Sequence, residues 1–233
     1  FREWLFTRFI HGLRFLGGMD NSAVSTFYAM FSNGASGVLT IVGSPDYAIQ
    51  VDGTDDASNR ATLTNSGTIS VSNTSNDGIR VRRGGSVINN VGGTINITNA
   101  GDEAIQIDGE ANTVFTNSGD IVLTTSGDHG MELLGTFNNL SGGTLTGVNN
   151  TDDGIRVTTG TFNNDGNIRI DGSGSEDIEV NLTGTFTNTA NATFAPGSSP
   201  GDLEIRNVFD LGSSTATFEI NGLTPGTEFD QIL

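Results

Sequence analysis

The chain of 233 residues contains no cysteine, which excludes disulfide bridges and thiolate metal sites. This absence is compatible with export of an unfolded chain, because a premature disulfide would obstruct passage. Lysine is also absent, so all ten basic residues are arginine, against 27 acidic residues and a formal net charge of −17. A sequence pI near 4.1 argues against nucleic acid as a partner, because phosphate binding needs a basic stripe.

Long apolar runs are missing as well. No stretch approaches the roughly 20 apolar residues that a membrane helix needs. Only 34% of the residues are hydrophobic and 33 are glycine, which leaves little material for a thick core but enough for a thin, repeated one. The chain begins at Phe1 and ends at Leu233 within an apolar run, so we interpret it as part of a longer protein. Membrane attachment is then expected only through regions outside this sequence.

An apolar residue is followed two positions later by asparagine seven times. The pairs are Phe31/Asn33, Leu63/Asn65, Ile88/Asn90, Phe115/Asn117, Phe137/Asn139, Phe162/Asn164 and Phe186/Asn188. The steps between the apolar residues are 32, 25, 27, 22, 25 and 24 residues, and such a period is typical of a solenoid.

A second motif alternates apolar and polar residues, as in Gly78-Ile79-Arg80-Val81, which indicates a half-buried strand. A third short strand, such as Thr68–Val71, lies between the two motifs. Three strands per repeat predict an all-β, right-handed, single-stranded parallel β-helix of about seven coils over residues 31–194. Seven turns at the inter-strand spacing give a rod of roughly 34 Å.

In this fold the apolar residue of each pair points inward and the asparagine lies at a corner, where its amide bonds the copy in the next turn. The predicted aromatic column is Phe115, Phe137, Phe162 and Phe186. The predicted asparagine ladder is Asn33, Asn65, Asn90, Asn117, Asn139, Asn164 and Asn188.

Residues 1–30 differ from the repeats. Phe1, Trp4, Leu5, Phe9, Leu13 and Leu16 recur at spacings of three and four, which predicts one face of a helix. The helix could cap the open end of the solenoid, or lie on a membrane surface as an amphipathic helix. A tail without a structural role is the third interpretation.

The segment 195–233 contains Pro196-Gly-Ser-Ser-Pro-Gly201, then Phe218-Glu-Ile-Asn-Gly222 and Phe229-Asp-Gln-Ile232. It resembles the end of the β-helical passenger region of bacterial autotransporters and related surface adhesins. The resemblance implies a secreted β-helix displayed on the outer surface of a Gram-negative bacterium.

An acidic residue precedes the second motif in every copy. Five of these residues, Asp77, Glu103, Asp128, Asp153 and Glu176, form the best candidate for a calcium site, because stacked carboxylates repel one another and a cation relieves the repulsion. The alternative is turn chemistry, in which each aspartate bonds its own backbone. No other cofactor is expected.

No catalytic residue is assigned. Asn150–Gly154 and Asp128–Gly130 resemble fragments of polygalacturonase motifs, but in reversed order along the chain. We interpret His129 as a solvated surface histidine, and Arg80 and Arg156 as outward residues that face Glu132 and Glu179.

The leading hypothesis is a non-enzymatic adhesin or stalk module whose partners are host or neighbouring-cell glycans or proteins. The alternative is a carbohydrate-active enzyme, a polysaccharide lyase or hydrolase. Its site would be the insertion Gly53–Arg60, with Asp52, Asp55, Asp56 and Arg60. Ice or mineral binding would need a regular Thr-x-Thr column, which we do not find in the sequence.

Overall fold

The computed structural model describes residues 13–16, 30–53, 60–196, 202–203, 205–207, 212–216 and 231–232. Within them the chain coils so that strands one repeat apart lie side by side and pair in parallel. Three parallel sheets run along the coil, and the predicted class, an all-β parallel β-helix, is confirmed.

The strands are grouped by the sheet to which they belong. Sheet A contains β1 (Leu13–Leu16), β4 (Ile49–Asp52), β7 (Ile79–Arg82), β10 (Ile105–Ile107), β13 (Met131–Leu133), β16 (Ile155–Val157), β19 (Ile178–Val180) and β23 (Ile205–Asn207). Sheet B contains β2 (Met30–Asn33), β5 (Thr62–Asn65), β8 (Ser86–Asn89), β11 (Val114–Asn117), β14 (Thr136–Asn139), β17 (Thr161–Asn164) and β20 (Thr185–Asn188). Sheet C contains β3 (Val38–Val42), β6 (Thr68–Ser72), β9 (Thr94–Ala100), β12 (Asp120–Ser126), β15 (Thr144–Val148), β18 (Asn167–Asp171), β21 (Thr193–Pro196) and β24 (Thr215–Ala216). A two-stranded sheet pairs β22 (Asp202–Leu203) with β25 (Gln231–Ile232).

Alternation of apolar and polar residues decides which side chains enter the core. In β12, Ile121 and Leu123 are fully buried, whereas Asp120 and Val122 lie on the outer face. Because the pairing is parallel and in register, Ile121 lies between Ile95 below and Leu145 above. Every inward apolar residue therefore stacks on its own copies, which forms one continuous thin core.

The seven strands of sheet B bound six complete turns, where the sequence predicts about seven coils. At about 4.8 Å per turn, sheet B extends over about 29 Å.

The turns between sheets B and C alternate in length from one coil to the next. After Asn65, Asn117 and Asn164 the next strand begins three residues on, and after Asn89 and Asn139 it begins five residues on. The structural period is therefore two coils. The short turns need glycine, since a Cβ on Gly119 would lie 2.2 Å from the carbonyl oxygen of Gly93.

The helix predicted for the start of the chain is wrong at Leu13–Leu16. These residues form β1, which pairs in parallel with Ile49–Asp52. The backbone groups on the open edge of β4 gain hydrogen-bond partners from an added strand, which they would not gain from a helix. The remaining residues of the predicted helix lie outside the described residues, as do residues 54–59 of the insertion and most of the tail motif.

Among the described residues there is no helix with the length and apolar character required to span a membrane.

Candidate functional site

A column of buried asparagine side chains runs along the corner after sheet B. In each step the Nδ2 of one asparagine donates to the Oδ1 of the next, at 2.8 to 3.2 Å. The column consists of Asn33, Asn65, Asn89, Asn117, Asn139, Asn164 and Asn188. The amides also bond the turn backbone, as when Asn65 donates to the carbonyl oxygen of Gly67 at 3.1 Å. The column therefore supplies hydrogen bonds to polar backbone groups inside the core.

The structure corrects one member of the predicted ladder, because Asn89 and not Asn90 occupies the column. Val87 pairs with Leu63 and Phe115, so it is the inward apolar residue of this coil. Asn90 lies outside the column, where its Nδ2 donates to Ser66 Oγ at 2.9 Å. The segment has two adjacent apolar residues followed by two adjacent asparagines, so the motif fits either register. Backbone pairing decides between them.

The four phenylalanines of the predicted column stack inside the coil. Their ring centroids are separated by 5.4, 4.9 and 4.5 Å from Phe115 through Phe137 and Phe162 to Phe186. The rings are buried, and Phe194 of sheet C extends the aromatic contact at 6.1 Å from Phe186. Both columns form the interior of the coil and are shielded from partners.

Ionisable side chains form a second column at the corner before sheet A. The register of the strands places Tyr47, Asp77, Glu103, His129, Asp153 and Glu176 at one position, two residues before each strand. Asp128 is not in this column, contrary to prediction. It lies one residue earlier, on the rim with Asp102 and Asp152, because His129 takes the inward position in that turn.

Asp77 and Glu103 are adjacent in this corner column, and both are buried. Burial, together with a hydrogen bond and charge repulsion from Glu103, raises the pKa of Asp77 to about 9. Burial also raises the pKa of Glu103. At neutral pH the Asp77 carboxyl therefore holds a proton that it shares with Glu103.

His129 is buried, so its interpretation as a solvated histidine is wrong. Its Nδ1 accepts from the backbone N–H of Asp153 at 3.3 Å, and its Nε2 lies 3.0 Å from Nη1 of Arg156. Carboxylate oxygens of Asp128, Asp152 and Asp153 lie 3.5 to 3.9 Å from the ring nitrogens. Along the corner column, the His129 ring therefore lies between the Asp77–Glu103 pair and the Asp153–Glu176 pair.

Asp153 and Glu176 form the other acidic pair of the corner column. Burial, the neighbouring Asp152 and a hydrogen bond with Glu176 raise the pKa of Asp153 to about 7. The pKa of Glu176 is lowered, mainly by a hydrogen bond from Ser175, and Arg206 lies 2.9 Å from its carboxylate. Asp153 is thus the carboxyl of this pair that carries the proton at mildly acid pH.

The outer face of sheet A carries charges in pairs. Arg156 lies 3.3 Å from Glu179, as the sequence predicts. Arg80, however, contacts Asp108 at 3.0 Å rather than Glu132, because Gln106 is its neighbour in the next turn. Each of these ion pairs links two neighbouring turns of the coil.

Asp52 lies directly before the predicted insertion and forms an ion pair. It is fully buried, and Arg83 donates to its two oxygens at 2.6 and 2.7 Å. Arg60 lies just after the undescribed segment, and Asp55 and Asp56 lie outside the described residues. This ion pair stabilises the start of the insertion, and in the described residues it contributes no exposed carboxylate.

The outer face of sheet B has no charged residue, whereas that of sheet C has Asp120, Arg169 and Asp171. We define the outer face of sheet B as the first and third residues of its seven strands, a regular array with no charged member. Its residues are Met30, Ser32, Thr62, Thr64, Ser86, Ile88, Val114, Thr116, Thr136, Asn138, Thr161, Asn163, Thr185 and Thr187. Eleven of the fourteen carry a hydroxyl or amide group, and all fourteen except the buried Ser86 are at least partly exposed. Sequence reasoning did not single out this face, although the threonines that follow each turn were a readable signal.

Three overlapping groups in the described residues have the spacing of metal ligands. They are Asp77/Asp102/Glu103, Glu103/Asp128/His129 and His129/Asp152/Asp153. Comparison of the chain with protein-family models and with curated proteins gave no match. The fold therefore defines the class: this protein is a parallel β-solenoid with a buried asparagine column, an ionisable corner column and one uncharged face.

Proposed function

We propose that this chain is the β-helical part of a secreted or surface-displayed adhesin or stalk without enzymatic activity, and that the outer face of sheet B binds neutral glycans. One observation carries the proposal: a chain with a net charge of −17 keeps thirteen neighbouring surface positions free of charge. The tail resemblance at 195–233 supports an extracellular location on a Gram-negative bacterium.

Hydroxyl and amide groups on this face repeat at about 4.8 Å along the coil and about 7 Å along each strand. Such an array suits a polymer that carries hydroxyl groups along its length, because many weak hydrogen bonds form in parallel. Each contributes only about 0.5–1.5 kcal/mol net, so we expect weak binding to a monosaccharide and stronger binding to a chain. The negative charge elsewhere on the protein disfavours acidic polysaccharides.

The experiment measures retention of the purified chain on immobilised neutral polysaccharides, with an acidic polysaccharide for comparison. The variant Thr116→Glu/Asn138→Glu places two charges at paired positions on the sheet B face. Its control, Thr98→Glu/Thr124→Glu, places the same charges at paired positions on sheet C. We expect the sheet B variant to bind at least about tenfold more weakly and the control to bind like the wild type.

Equal losses in both variants, or retention on the acidic polymer alone, would contradict the proposal. The carbohydrate-active alternative is tested on the same polymers by the release of reducing ends and of unsaturated products. We expect neither, because the acidic groups of the corner column are buried or paired rather than arranged around an open cleft in the described residues. Product release would show that the chain is an enzyme.

A further inference from the structure

Three carboxylates from two adjacent turns converge at the corner between sheets C and A. One oxygen each from Asp77, Asp102 and Glu103 lies within 4.8 Å of the others. Oxygens bound to one calcium ion at 2.3–2.6 Å lie no more than about 5 Å apart. The spacing therefore allows one cation to contact all three side chains without a change of backbone.

Asp77 gives an independent indication of a ligand. Its side chain is 1% exposed, and within the described residues no N–H or alcohol group donates to either carboxylate oxygen. The nearest cation, Arg80 Nη1, is 3.9 Å away, and Arg80 already bonds Asp108 at 3.0 Å and the hydroxyl of Tyr47 at 2.8 Å. A buried carboxyl group needs either a proton or a cation as its partner. Without a cation, Asp77 has the proton that it shares with Glu103, and a bound cation would take the place of that proton.

We propose that Asp77, Asp102 and Glu103 bind one calcium ion. A set of oxygen ligands alone selects a hard cation, and calcium accepts the irregular geometry that a turn provides. Asp77 and Glu103 form the buried side of the site, and the half-buried Asp102 forms its rim, open to water ligands. The site is independent of the glycan proposal, because it lies at the opposite edge of sheet C from sheet B.

The corresponding group two turns on, His129/Asp152/Asp153, does not meet the same conditions. Arg156 places a positive charge 3.0 Å from the His129 ring, and the Nδ1 of that ring accepts from the Asp153 backbone. Asp152 lies at the same turn position as Asp102 and is also half-buried. Asp152→Asn is therefore a matched control for Asp102→Asn.

The test is calorimetric titration of calcium chloride into chelator-treated protein, for the wild type, Asp77→Asn, Asp102→Asn and Asp152→Asn. We expect one calcium ion per chain, affinity at least about tenfold weaker in the first two variants, and wild-type affinity in the control. Thermal unfolding should shift upward with calcium in the wild type and the control only, because the ion binds the folded state.

Absence of binding heat and of a thermal shift at millimolar calcium would overturn the proposal. Wild-type affinity in Asp102→Asn, or a loss confined to Asp152→Asn, would overturn it equally. Asp102 lies on a turn and is half-buried, so its variant keeps the test decisive if Asp77→Asn does not fold. Magnesium chloride, titrated separately, should bind more weakly because it demands near-octahedral geometry.

Discussion

Replacement of Asn117 by alanine is expected to destabilise the coil strongly, and more than replacement of its neighbour Asn139. The side chain is fully buried between Asn89 and Asn139. Its Oδ1 accepts from Asn89 Nδ2 at 2.8 Å and from the backbone N–H of Gly119 at 3.2 Å. Its Nδ2 donates to Asn139 Oδ1 at 2.9 Å and to the carbonyl oxygen of Thr144 at 3.0 Å.

The magnitude follows from the groups that lose their partners. Asn89 Nδ2 keeps a hydrogen bond to the carbonyl oxygen of Gly93 at 3.2 Å. The Gly119 N–H and Asn139 Oδ1 are both buried, and within the described part of the chain each has Asn117 as its only partner. Two buried groups without partners at about 1–3 kcal/mol each predict a loss of about 2–6 kcal/mol in the free energy of unfolding.

The same reasoning predicts a smaller loss for Asn139→Ala. Asn164 Oδ1 still accepts a hydrogen bond from the N–H of Gly166 at 3.2 Å, and Asn117 Nδ2 still donates to the carbonyl oxygen of Thr144. The change removes three hydrogen bonds, one of them a long bond of 3.4 Å to the carbonyl oxygen of Asn167. At about 0.5–1.5 kcal/mol net for each bond, the expected loss is about 1.5–4.5 kcal/mol. The control is Asn138→Ala, on the outer face of the same strand, with an expected change within about 0.5 kcal/mol.

Urea unfolding followed by circular dichroism gives the three free energies. The expected order of destabilisation is Asn117→Ala, then Asn139→Ala, then Asn138→Ala. If the free energies of unfolding of Asn117→Ala and Asn138→Ala differ by less than about 0.5 kcal/mol, buried hydrogen bonds do not stabilise this corner and the reasoning is refuted.

Three further predictions concern other parts of the coil. Phe137→Ala should lower the free energy of unfolding in urea by about 3–5 kcal/mol, because it opens a cavity between stacked rings. Phe137→Leu should lower it by less than about 1.5 kcal/mol. Equal losses in the two variants would argue against the aromatic column. Burial is the main cause that raises the pKa of Asp153 to about 7, so between pH 4 and 7 the folded chain binds a proton that the unfolded chain does not. Stability should therefore fall as pH rises through this window, and Asp153→Asn should reduce the difference between unfolding free energies measured at pH 5 and pH 8 in chelator; an unchanged pH profile would show that Asp153 titrates normally. Arg83→Ala should lower the free energy of unfolding by about 3–5 kcal/mol, because it leaves Asp52 buried without its bidentate partner. The stability of Arg83→Lys should lie between those of Arg83→Ala and the wild type. Unchanged stability in Arg83→Ala would mean that water or other groups replace the guanidinium.

Much of the fold was predictable from the chain because each repeat carries its own alternation. The segment Val114–Asn117 has one asparagine, and the segment Thr136–Asn139 has one apolar residue, so only one register of each fits the motif. At Val87–Asn90 two registers fitted equally well. The pairing of β8 with β5 and β11 selects one of them, and that information lies in neighbouring turns rather than in the segment itself.

The corner column was predictable in part. An acidic residue near each sheet A strand is evident from the sequence, but a difference of one residue decides whether it faces inward or outward. The strand pairing gives the inward position to His129 and the rim to Asp128. The proximity of Asp102 to Asp77, which defines the proposed calcium site, also depends on how adjacent turns stack.

The sequence by itself determined the class of fold, the repeated core and the residues of the aromatic column, because alternation and period are local properties of the chain. The tertiary structure decided the register at Asn89, the composition of the corner column and the existence of an uncharged face on sheet B. These depend on which residues of different turns lie side by side, and backbone hydrogen bonds between turns fix that alignment.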